Sequence, residues 1–66
     1  MRKKTFRYKD RDVEVVSIDS AAGGHGFGLV IDGVVINRGG YDRRLSKDEV
    51  IEHGVKYAKE YIDSLP

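Results

Sequence analysis

The chain lacks cysteine, long apolar runs and the length for a second domain. Without cysteine there is no disulfide and no thiolate metal site to reinforce the fold. No apolar run approaches the roughly 20 residues that a membrane-spanning helix needs. Met1-Arg2-Lys3-Lys4 opens as a secretory signal would, but no apolar stretch follows it. A cytoplasmic protein is the expectation. At 66 residues the chain makes one small domain. Such a domain buries only about 60% of its unfolded surface and is marginal alone, so self-association is the remaining common support.

Chemistry-bearing residues are also scarce. His25 and His53 are the only two histidines, one in a loop and one on the polar side of a helix. No Ser/His/Asp set can be assembled around them, and too few ligands converge for a metal. The neighbouring acids Asp10 and Asp12 sit in an exposed turn. The expectation is a non-catalytic protein without metal or cofactor.

What is present points first to a C-terminal helix over residues 46–65. Ser46-Lys47-Asp48-Glu49 has the capping-box pattern, with Leu45 and Val50 at the spacing of a hydrophobic staple. Asp48 and Glu49 place negative charge at the positive end of the helix dipole. Ile51, Val55, Ala58, Ile62 and Leu65 recur at three- and four-residue steps and line one face. Glu49, Glu52, His53, Lys56, Glu60 and Asp63 fall on the other, where Glu52–Lys56 and Lys59–Asp63 are spaced to pair. Gly54 costs about 1 kcal/mol against alanine in a helix. Close approach of the helix to a sheet would compensate. Tyr57 and Tyr61 flank that glycine, either as rings sealing the core edge or as the walls of a binding notch.

Before the helix, four stretches alternate or are rich in β-branched residues: about 4–9, 13–19, 26–31 and 34–38. Phe6 and Tyr8 face inward in the first, and Asp10-Arg11 turns into the second. In the second, Val13 and Val15 share one face while Val16 and Ile18 share the other. Either a bulge switches the alternation or both faces are partly covered. Asp32-Gly33 between apolar runs predicts a type I′ hairpin. That register pairs Ile31 with Val34, Leu29 with Ile36, Phe27 with Arg38 and, on the other face, Val30 with Val35. Ile31, Val34, Leu29, Ile36 and Phe27 would then share the core face. The predicted fold is α+β: a four-stranded antiparallel β-meander with one C-terminal α-helix on one face.

The helix can cover only one side of this sheet. Val16, Val30 and Val35 on the outer side, with Tyr57 and Tyr61 beside Gly54, are therefore the candidate partner-binding residues. A protein partner or a second copy is expected there or at an edge strand. The alternative is nucleic acid. Residues 1–11 carry six cations against Asp10, a local +5, and Arg38, Arg43, Arg44 and Lys47 face only Asp42, a local +3. Arg2, Lys3, Lys4, Arg7, Arg38, Arg43 and Arg44 are the candidate nucleic-acid or anion-binding residues. Arg43 and Arg44 also stand just before the free amides of the helix start.

The glycine-rich run Ala21-Ala22-Gly23-Gly24-His25-Gly26-Phe27-Gly28 has neither the Gly-Lys-Ser/Thr ending of a phosphate loop nor the helix that a dinucleotide fingerprint requires. His25 to Asp32 resembles in part the aromatic strand motif of RNA-recognition domains, through Gly26-Phe27-Gly28 and Val30. His25 stands for the usual lysine or arginine, and Leu29 and Asp32 stand for two of the three stacking aromatics. The base-stacking platform is thus absent, and the chain is too short for that fold's two helices. Three strands and a helix preceded by Arg43-Arg44 are similar to the second half of a double-stranded-RNA-binding domain, but here the first turn of the helix is acidic. The single Arg38-Gly39-Gly40 triplet adds nothing specific.

Overall fold

Each strand returns beside the one before it because the links are short. In the computed structural model, residues 2–66 are described, apart from the side chains of residues 37–41. β1 (Lys3–Tyr8), β2 (Arg11–Asp19), β3 (His25–Ile31) and β4 (Val34–Asp42) form one antiparallel sheet in the order β1-β2-β3-β4. α1 (Lys47–Asp63) packs on one face, over β2 and β3 and reaching β1. This is the four-strand meander and C-terminal helix that the pattern predicts.

The helix begins as its residues dictate. The Ser46 side chain accepts from the Glu49 amide at 3.2 Å, and the Glu49 carboxylate accepts from the Ser46 amide at 3.0 Å. Both halves of the capping box are therefore made. Its buried stripe is Val50, Ile51, Gly54, Ala58 and Ile62. Ile51, Gly54, Ala58 and Ile62 meet Val13, Val15, Leu29 and Ile31 from the sheet, with Phe6, Tyr8, Phe27, Ile36, Val55 and Tyr61 packed around them. Gly54 is the point of closest approach. A Cβ there would overlap Val15 Cγ1 and lie 3.2 Å from Phe27 Cδ2.

β2 resolves its ambiguity without a bulge. Its pairings to β1 and β3 run in unbroken register, so Val13, Val15 and Ser17 face the helix while Val16 and Ile18 face away. Ser17 is buried, and its hydroxyl accepts from the Arg2 amide at 2.8 Å.

Four expectations need correction. The first turn is Lys9-Asp10, not Asp10-Arg11: Tyr8 pairs with Arg11, and Lys9 and Asp10 have φ of 49° and 63°. Two non-glycine residues thus take the left-handed conformation of a tight hairpin turn. Glycine holds that conformation without steric cost. Asp10→Gly is therefore expected to stabilise the protein by about 0.5–1 kcal/mol, read as a higher urea midpoint.

The second correction is register. Asp32-Gly33 makes the predicted turn, with φ of 51° and 82°, and Ile31–Val34 and Val30–Val35 pair as expected. Beyond them Leu29 pairs with Asn37 and Phe27 with Gly39, because Ile36 is an extra residue in a β-bulge. Ile36 still packs against the core. Third, Val34 is not a core residue. It is 59% exposed, since it sits on the edge strand beside the turn, outside the area that α1 covers. β4 also continues to Asp42, past the predicted end at residue 38.

Candidate interaction surfaces

The outer sheet face divides into a charged half and an apolar half. The charged half lies on β1 and the first part of β2. There Lys3 Nζ stands 3.0 Å from Glu14, and Arg7 stands 3.6 Å from Asp12. The apolar half lies on the rest of β2, β3 and the start of β4. Cross-strand pairing sets Val16 beside Gly28 and Val30 beside Val35. Gly28 has no side chain to fill the space between strands, so Val16 and Ile18 lean across it. A Cβ at Gly28 would lie 3.0 Å from Val16 Cγ2 and 3.2 Å from Ile18 Cδ1. The result is a shallow groove of about 430 Å³ whose walls include Val16, Ile18, Val30 and Val35. Val35 rises at its margin with 60% of its surface exposed. The structure brings Val16, Val30 and Val35 together and adds Ile18 and Gly28 to them. Gly28 was legible only as a residue of the third strand, because its part in the groove depends on the register.

Tyr57 and Tyr61 do not join this surface. Tyr61 packs against the core and Tyr57 is 42% exposed. The Tyr57 ring stands 5.8 Å from Phe27 at a 54° tilt. A second recess of about 360 Å³ forms there, lined by Phe27, His53, Lys56, Tyr57 and Glu60. It is on the helix side, away from the valine groove.

Among the described residues the basic side chains do not form one patch. Arg2 pairs with Asp48 at 3.2 Å, while Lys3 and Arg7 pair with Glu14 and Asp12 as above. Arg44 holds Asp42 through two guanidinium nitrogens, at 3.1 and 3.0 Å. That side-chain contact, with the Arg44 amide, keeps the Asp42 carboxyl below its ordinary range. Arg43 donates to the Ala22 carbonyl across the β2–β3 loop. Lys4 is exposed on the edge strand. The Arg38 side chain lies outside the described residues. At the helix start, Ser46 and Glu49 take up amides that an anion would need. The Ser46 amide and hydroxyl hold the Glu49 carboxyl below its usual range.

Two polar clusters tie the elements together. Asp63 accepts from the Tyr8 hydroxyl at 3.0 Å and also pairs with Lys9, so the β1–β2 hairpin is fastened to the last turn of α1. The Lys9 ammonium lowers the Asp63 pKa, and the same contact raises that of Lys9. The Lys59–Asp63 spacing on the helix is thus overruled by a partner from the sheet. Lys59 instead lies over the Phe6 and Tyr8 rings at 6.0 and 5.7 Å. At the other end, His25 Nδ1 stands 2.8 Å from Asp19 Oδ1, and this hydrogen bond lowers the Asp19 pKa. Among the described residues no group of three or more potential ligands converges for a metal ion, and no helix is long and apolar enough to cross a membrane. Comparison with known proteins finds no matching family model, no matching curated protein and no matching solved structure.

Proposed function

We propose that this chain is a small, non-catalytic, cytoplasmic protein-interaction module that docks a protein on the apolar half of its outer sheet face. The observation that carries this reading is the groove over Gly28, where Val16, Ile18, Val30 and Val35 stand together on the side that α1 leaves bare. A contiguous apolar surface rimmed by charge is what an interaction site presents. The nucleic-acid alternative is less well supported, since Arg2, Lys3, Arg7 and Arg44 each face a carboxylate. Matched charge of this kind leaves little field to draw a polyanion.

The test is site-specific photocrosslinking. A photoreactive phenylalanine analogue replaces Val35, and a second protein carries it at Lys56 on the helix face, both in the native host. Adducts from position 35 and none from position 56 are the expected result. No adduct from position 35, or equal labelling from both, overturns the reading.

A further inference from the structure

We infer that Asp32-Gly33, the β3–β4 turn, is a latent site of aspartyl isomerisation, a covalent rearrangement of the backbone that the folded chain holds back.

The reaction needs an aspartate followed by a residue whose backbone nitrogen is unobstructed. The Gly33 nitrogen attacks the Asp32 carboxyl carbon. A C–N bond forms, and the carboxyl hydroxyl leaves with the amide proton as water. The product is a cyclic succinimide. Water then opens the ring, its hydroxyl adding to a ring carbonyl and its proton returning to the nitrogen. Opening at the carbonyl that came from the main chain leaves the chain linked through the side chain, as isoaspartate. The water lost is regained, nothing is oxidised or reduced, and no cofactor takes part. Asp32-Gly33 is the only aspartate-glycine step in the sequence. Both residues are exposed, and a Cβ at Gly33 would meet nothing within 4 Å, so the space around its nitrogen is open.

The fold restrains both reacting groups. Asp32 Oδ1 accepts from the Asp12 amide at 2.9 Å, and Arg11 stands 3.5 Å from Oδ2. The Asp32 amide in turn donates to the Asp12 carbonyl at 2.9 Å. The carboxylate is thus drawn across to the start of β2, and it must let go before its carbon can meet the Gly33 nitrogen. The backbone is fixed as well. Asp32 and Gly33 hold φ of 51° and 82° between the Ile31–Val34 and Val30–Val35 pairs, and ring closure requires rotation about the Asp32 main chain. Reaction therefore proceeds through opening of the turn, and its rate follows the population of the open form.

Isoaspartate adds a carbon to the backbone of a two-residue turn whose geometry sets the strand register. In a chain that has reacted, Val30 and Val35 no longer stand opposite each other, and the outer-face groove is lost with their pairing.

The full chain is incubated at neutral pH, folded in buffer and unfolded in urea, and then digested. Isoaspartate is read by enzymatic methylation of its free α-carboxylate and placed in the sequence by mass spectrometry. Accumulation at position 32 is expected in urea, and at least about tenfold slower in the folded chain. Asp32→Gly has no carboxyl to react and keeps a turn that favours glycine, so the signal should vanish. In that folded variant the Asp12 amide has lost its acceptor. Its hydrogen exchange is expected to be about tenfold faster than in the wild type, with circular dichroism checking that the fold is kept. No isoaspartate at position 32 in urea, equal rates folded and unfolded, or unchanged exchange at Asp12 overturns the inference.

Discussion

Gly54→Ala is expected to destabilise the protein by about 1–3 kcal/mol, the range for overpacking a filled core. Intrinsic helix preference predicts the opposite sign, since alanine is favoured over glycine by about 1 kcal/mol within a helix. The packing decides. The new methyl would overlap Val15 Cγ1 and press on the Phe27 ring. Val15 is fully buried and cannot swing away. Either the helix lifts from the sheet along its length or Val15 leaves its rotamer. Thermal unfolding followed by circular dichroism should show Tm falling by roughly 4–8 °C per kcal/mol in a domain of this size. A double variant with Val15→Ala removes the obstructing methyls, so its loss should be smaller than the sum of the two single losses. A rise in Tm for Gly54→Ala alone would mean that the helix does not approach the sheet at this point.

Leu29→Ala has the larger expected effect, a loss of about 2–5 kcal/mol. Leu29 is fully buried near the middle of the sheet, under α1. Natural domains hold roughly 0.05–0.15 kcal/mol per residue, or roughly 3–10 kcal/mol for this length. One cavity at Leu29 therefore removes much of the margin. Urea titration should show either a midpoint shifted far down with an unchanged slope or no folded baseline at all. A change below about 1 kcal/mol would mean that Leu29 is not at the centre of the core.

The helix and the layer order were legible because their signals are local. Ser46 and Glu49 announce the cap by spacing, and the apolar steps from Ile51 to Ile62 announce the buried face. Asp32-Gly33 announced its turn by residue type. Lys9-Asp10 carried no such mark, since lysine and aspartate at positive φ are held there by the strands rather than by their own preference. The bulge at Ile36 was hidden for a related reason. Strict alternation allows for no extra residue, so it pairs Leu29 with Ile36 where the sheet pairs it with Asn37. Of the candidate site, the valines of the outer face could be read from period two alone. The groove could not, because it depends on the register that sets Gly28 beside Val16. The basic residues were legible as charge but not as pairs. Arg2 meets Asp48 across 46 positions of sequence, a contact that only the fold makes.

The helix that roofs the core follows all four strands in chain order. During synthesis the sheet therefore exists before anything can cover Val13, Val15, Leu29 and Ile31. The inner face of the nascent sheet is then bare and apolar, which is the condition for sticking to other chains. The tight hairpins can form within microseconds, far faster than ribosomes add residues, yet they gain little until α1 arrives. Folding is thus deferred until α1 has been made. The Asp63 contact with Tyr8 and Lys9 belongs to that stage, joining the final helical turn to the earliest hairpin.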